Sequence, residues 1–174
     1  MNPQSKMLTL RKPTLADKKS YLEFVESWGD EFMIPTASTV KNRTYEELLE
    51  KLDLDEKNMI DPETRVPAST YIMIDENQEI YGALSFRYFL NEELFKYNGH
   101  IGYGIKPDKR RQGYGKFMLS LGLEKAREHK LTKVMITCND ENVASYKTIE
   151  ACGGILENKV YKTDGYIRRY WIHL

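Results

Sequence analysis

Hydrophobic positions along this chain change their period several times, and each change predicts an element. Apolar and polar residues alternate over residues 7–12, the period of a strand. Thr14 with Asp17 then forms a capping-box pair ahead of Tyr21, Phe24, Val25 and Trp28, whose spacing is helical. The same signature recurs at Thr44 and Glu47, before Tyr45, Leu48, Leu49 and Leu52. A second amphipathic helix therefore follows an irregular stretch over residues 35–43.

Strands are predicted over residues 71–74 and 80–88, joined by a polar turn at 75–79 and followed by a connection over 91–98. Residues 100–105 continue this antiparallel meander. Tyr114, Met118 and Leu121 return to helical spacing, and the next strand, 131–138, is expected to run parallel to the one before that helix, as a right-handed crossover requires. A helix over 142–152 ends at Gly153 and Gly154, and two last strands, 155–161 and 166–173, flank a turn of Thr163, Asp164 and Gly165. Residues 54–67 read as a polar loop. With no repeat or linker in 174 residues, one mixed α/β domain over residues 1–174, with helices flanking a single sheet, is the expectation.

Charge narrows the partners. Lys and Arg number 26 against 26 Asp and Glu, so nothing draws the whole chain to nucleic acid or an anionic membrane. No charged start leads into an apolar leader, and no apolar run approaches the ~18 residues of a membrane span, so a cytoplasmic protein is expected. Cys138 and Cys152 read as small buried hydrophobes, and His100, His129 and His173 are too scattered to predict a metal site.

The densest chemistry lies at residues 109–116, KRRQGYGK, between a predicted strand and a predicted helix. Gly113 and Gly115 leave room for a ligand to approach the backbone, and the first N–H groups of a helix lack internal partners and point at any anion placed there. Lys109, Arg110, Arg111 and Lys116 add full charges to that environment, which suits a diphosphate. Neither a GxGxxG fingerprint nor a GK[ST] P-loop is present.

This segment resembles the acyl-CoA pyrophosphate motif of the GNAT superfamily of N-acetyltransferases: Gln or Arg, two residues, Gly, one residue, then Gly or Ala. Arg110, Gly113 and Gly115 fill it, and Ile105, Lys106 and Pro107 match the strand end that precedes it. A second family motif opens the helix after the next strand, where Asn142 to Ser145 read NVAS. Residues 66–174 are also similar to a bacterial subgroup of these enzymes through VPASTY, LNEEL, GHIGYGI, RRQGYG, CGG and RRYWI.

The resemblance implies acetyl-CoA as cosubstrate, held by Gly104 and Ile105 on the splayed strand, by Arg110, Arg111, Gln112, Gly113, Tyr114, Gly115 and Lys116 around the diphosphate, and by Asn142 and Ser145. It also implies direct transfer to a primary amine of a small molecule or peptide in a ternary complex, with a backbone N–H near Ile105 donating to the thioester oxygen. Many relatives carry a Glu base where His100 stands here; His100 is either that base or a histidine bonded to backbone. The family's usual acid, a Tyr, is replaced by Ile149. Tyr146, one turn earlier on the same helical face, is either the acid or a packing residue. Arg87, Tyr88 and Asn91 fall where an acceptor would lie. Two rival readings remain at this stage, a catalytically silent acyl-CoA sensor and a protein binding another diphosphate. The tyrosine-rich end, residues 161–171, either pairs in a homodimer or packs on the helices.

Overall fold

Two strands carry the longest apolar runs, and their neighbours explain why. The computed structural model describes residues 7–59 and 64–174. β2 (Ala68–Ile74) and β3 (Ile80–Arg87) are buried along almost their whole length because helices cover both faces of their sheet. Alternation divides the side chains. Ile72, Ile74 and Ala83 pack on one face with Tyr21, Phe24 and Trp28, from α1 (Lys18–Glu26) and its end, and with Tyr45, Leu48 and Leu52 of α2 (Tyr45–Glu56). Tyr71, Met73, Leu84 and Phe86 pack on the other face with Met118, Leu119, Leu123 and Ala126 of α3 (Tyr114–Glu128).

β1 (Thr9–Arg11) and β4 (Ile101–Ile105) flank this pair, giving an antiparallel sheet in the order β1-β2-β3-β4. A second antiparallel sheet, ordered β5-β7-β6, is built from β5 (Lys133–Asn139), β6 (Ile155–Lys162) and β7 (Gly165–His173), with α4 (Val143–Ala151) between β5 and β6 in the chain.

Hydrogen bonding thus divides the expected single sheet into two antiparallel sheets, which part between β4 and β5, where the splayed pair was expected. β4 and β5 are joined only by an isolated antiparallel bridge between Gly99 and Ile136. Beside it the backbone N–H of Met135 donates to Nδ1 of His100 at 2.9 Å, while the N–H of His100 donates to Met135 O at 2.7 Å. A side chain has taken the donor that a ladder would use, and β4 and β5 separate beyond this point.

Local signals behave as their chemistry dictates, with one shift. Thr44 and Glu47 form the reciprocal capping box at the start of α2. Asp17 instead accepts from both terminal nitrogens of Arg11, at 2.7 and 2.6 Å, as well as from Thr14 N and Oγ1. Its box closes a single 3-10 turn, Leu15–Asp17, and α1 begins only at Lys18. The expected 54–67 loop starts later, since α2 runs to Glu56, and residues 60–63 of it lie outside the described residues. The 91–98 connection holds a π turn at Leu94–Asn98. Among the described residues no helix is long and apolar enough to cross a membrane.

Candidate functional site

β4 leaves its sheet at Ile105 and passes through a 3-10 turn, Pro107–Lys109, to the N-cap of α3. That cap is Gly113 at φ 85°, a left-handed conformation that a Cβ disfavours. Arg111, also left-handed at φ 59°, gives the turn its second bend. The N–H of Phe117 is the first in the helix to find a carbonyl, that of Gly113. The N–H groups from Arg111 to Lys116 donate to no backbone carbonyl among the described residues. They form a concave donor array at the positive end of a 15-residue helix dipole.

The cations around the array differ in availability. Arg111 and Lys116 are exposed, with no carboxylate partner among the described residues. Arg110 is engaged: its Nε donates to Ile105 O at 3.1 Å, its Nη1 meets Glu31 at 2.7 Å, and its guanidinium lies 5.0 Å from the Trp28 ring centre. Lys109 pairs with Glu79 at 2.8 Å and sits over Tyr81. The Gln112 amide donates to Asp108 O, and the Tyr114 ring packs on Tyr81 in the core. At Gln112 and Tyr114 only the backbone serves the array, and at Arg110 the backbone N–H is taken as well, donating to Pro107 O at 3.3 Å.

Earlier along β4, its separation from β5 opens a cavity of about 610 Å³. Ile101, Gly102 and Tyr103 form one wall, Thr137, Cys138 and Asn139 the opposite one, with Asn142 and Ser145 of α4 at the rim and the β6–β7 turn closing one side. Register identifies the backbone that faces it. Arg87 N donates to His100 O and Lys106 N to Tyr81 O, so antiparallel alternation turns the peptide groups of Gly104 and Gly102 toward β3. Those of Ile101, Tyr103 and Ile105 turn toward β5 and the cavity. Ile105 O is capped by Arg110, leaving the N–H groups of Tyr103 and Ile105 as free donors. Gly104 has another role: a Cβ there would lie 2.2 Å from Ile34 O, so its glycine lets the α1–α2 connection cross β4.

Tyr103 carries a group that the sequence reading passed over. Its hydroxyl is buried near Ser145 and Thr148 but in hydrogen-bond geometry with neither, and burial pushes its pKa up to about 12. Asn142 Oδ1 accepts the Ser145 N–H at 3.0 Å, the N-cap of α4.

His100, 7% exposed, lines neither the β4–β5 cavity nor the cavity that Arg87 lines. With Nδ1 accepting from Met135, the neutral ring carries its hydrogen on Nε2, and burial lowers its pKa to about 4, with the Arg87 charge adding to the fall. This is the backbone-bonded alternative, and it leaves no lone pair for a base. Ile149 is fully buried, and Tyr146 packs against the core with the Arg168 guanidinium 4.0 Å from its ring centre.

The expected acceptor residues divide. Arg87 and Asn91 line a second cavity of about 380 Å³ between α2, the 64–68 segment and the π turn. Tyr88 points to the opposite face of the sheet, its hydroxyl bonded to Ser69 and Glu56 and its ring stacked on His129 at 4.3 Å. Strand alternation placed it there.

Residues 7–155 match the acetyltransferase (GNAT) domain family. No curated protein sequence matches the chain. Among solved structures the chain is similar to Mycobacterium smegmatis RimJ in complex with CoA-disulfide, at TM-score 0.70 and 15% identity over 95% of this chain and 81% of that one. It is also similar to the ribosomal-protein-S5-alanine acetyltransferase of Vibrio fischeri, at TM-score 0.69 and 16% identity over 95% and 92%. The spermidine N-acetyltransferase of Vibrio cholerae, described as dodecameric, superposes at TM-score 0.62 and 16% identity over 95% and 93%. A family match across most of the chain, on a fold that carries an anion cradle beside a splayed strand pair, places this protein in the GNAT family of acetyltransferases.

Proposed function

We propose that this protein transfers the acetyl group of acetyl-CoA directly to a primary amine held in the same cleft. The observation that carries this reading is the continuity of two features: the unpaired N–H array of residues 111–116 lies at the end of the strand whose free edge lines the β4–β5 cavity. A diphosphate on the array, with Arg111 and Lys116 as its counter-charges, directs an attached pantetheine arm along that edge.

In the transfer the neutral amine nitrogen bonds to the thioester carbon, the C–S bond breaks, the sulfur leaves as a thiolate, and the proton shed by the nitrogen passes to solvent. The N–H groups of Tyr103 and Ile105 supply donors for the oxygen that gains charge in the transition state, a role independent of side chain. The Tyr103 hydroxyl donates to the departing thiolate; held at a pKa of about 12, it stays protonated at working pH and acts as a fixed donor. His100 sets the strand separation. Positioning accounts for much of the rate.

The test is acetyl-CoA consumption, read as free thiol, across amines, amino acids and peptides. Acceptor-dependent release supports the transferase. Binding of acetyl-CoA with no release on any acceptor would favour the silent sensor instead.

A further inference from the structure

The second cavity has a composition that its neighbours do not neutralise. Its lining brings together four cations, Arg43, Lys51, Arg65 and Arg87, against two carboxylates, Asp55 and Glu93. Asp55 is shared, taking both Lys51 and Arg65. Arg43 and Arg87 have no carboxylate within ion-pair distance among the described residues. Arg87 is the deeper of the two: its Nη1 donates to Gly99 O at 2.9 Å, and the rest of its guanidinium fork is left to the cavity. Burial alone lowers its pKa. An unpaired guanidinium in a half-buried site is costly unless an anion completes it.

Space for that anion exists because the sheet face here is built from small residues. Arg87, Ser85 and Ala68 share one face through the β2–β3 register, which pairs Ala68 with Arg87 and Thr70 with Ser85. Ser85 is 3% exposed, and its hydroxyl bonds to no described residue. The planar fork of Arg87, with the Ser85 hydroxyl beside it, matches the two oxygens of a carboxylate.

The cavity also adjoins the acetyl-transfer cleft. Asn98 lines both. Arg87 pairs with His100, two residues before Gly102 on the same face of β4, and Gly102 lines the cleft; at about 3.3 Å per residue the separation is roughly 7 Å. With each group standing about 3 Å from its protein contact, an amine and a carboxylate a few bonds apart bridge those positions.

From this geometry we infer that the second cavity is an acceptor subsite for a carboxylate, gripped by Arg87 and Ser85 with Arg43 at the mouth, so that the acceptor is an amine carrying a free carboxylate, as in an amino acid. This rests on the acetyl-transfer reading for the word acceptor, but not for the anion site itself.

Two measurements separate the claims. In the first, the protein is titrated with succinate, a carboxylate with no amine, while the Arg87 side-chain N–H and the Ser85 and Gly99 amide signals are followed by NMR. Saturable shifts at these groups, lost in Arg87→Gln and weakened in Arg43→Gln, are expected. The surface Arg43→Gln variant keeps the test valid if the buried change perturbs folding. Absence of shifts in the wild type, or shifts that survive both changes, would overturn the subsite. In the second, kcat/KM is compared for amino acids and their carboxamides. The acid should be preferred by about tenfold or more, through KM, and Arg87→Gln should erase the preference while leaving acetyl-CoA affinity intact. Equal use of acids and amides overturns the subsite while leaving N-acetyl transfer standing. If no acceptor is consumed at all, the transfer reading fails, and the succinate titration still decides the anion site.

Discussion

The imidazole of His100 accepts the backbone N–H of Met135 at 2.9 Å, and this one bond both stops a β4–β5 ladder and removes the ring's free lone pair. Its pKa, pushed down to about 4 by burial, fixes a sign. An unfolded histidine titrates near 6.5, so between pH 6.5 and about 4 the unfolded chain binds more protons than the folded one. The stabilisation is fully present above pH 6.5 and is lost on acidification, by up to about 3 kcal/mol. Denaturant unfolding of the wild type should become easier from pH 7 to pH 5. His100→Asn, which keeps an acceptor but does not titrate, should show a flatter slope and an unaltered shape of the pH–rate profile near neutrality. A profile that loses its acidic limb in this variant would restore His100 as the base.

Tyr103→Phe separates chemistry from packing. The hydroxyl is buried without a partner, so its removal should leave stability unchanged or raise it by about 1 kcal/mol. Turnover should fall about tenfold or more with acetyl-CoA affinity preserved, as measured by thiol release and calorimetry. Unchanged turnover would remove Tyr103 from the mechanism.

Gly104 and Gly102 predict opposite outcomes on one strand. A Cβ at Gly104 would press on Ile34 O at 2.2 Å and Trp28 at 3.0 Å, whereas at Gly102 the nearest atom is Pro35 Cβ at 3.9 Å. Gly104→Ala should cost about 2 kcal/mol or more in denaturant unfolding, and Gly102→Ala about 0.5 kcal/mol at most. Equal costs would show that the α1–α2 connection does not bear on β4.

Arg11 and Asp17 tie β1 to the turn before α1. The Asp17 side chain is fully buried and accepts four hydrogen bonds, and the Arg11 guanidinium holds its pKa below the usual carboxylate value. The stabilisation is present above the unfolded value near 3.9 and lost as pH falls through the lower folded one. Asp17→Asn should cost about 2 kcal/mol at pH 7, discounted for the partial exposure of Arg11, and the cost should shrink in acid. Calorimetric unfolding of both proteins at pH 7 and pH 3 measures this.

The sequence made the elements and the anion cradle legible for the same reason: both depend on local properties. Period marks strands and helices, and a glycine at a helix start exposes N–H groups whatever surrounds them. What depended on contacts between distant residues was hidden. The separation of the sheets turns on His100 capturing a donor 35 residues away. Arg110 looked like a phosphate ligand from its place beside the glycines, but it folds back on Ile105 and reaches across to Glu31. Tyr88 and Tyr103 were readable in principle, since alternation assigns Tyr88 to the face of Phe86 and Tyr103 to that of Ile101. The second cavity was half visible in Arg87; Arg43 joins it from a loop that carries no pattern.

The most direct test of the account is calorimetric titration of acetyl-CoA into the wild-type protein and into Gly113→Glu, with folding of the variant checked by unfolding. Saturable one-site binding that disappears when a carboxylate is placed at the α3 cap is the predicted result. A wild type that does not bind, or a folded variant that binds equally well, would contradict the placement of the diphosphate and the transfer mechanism built on it.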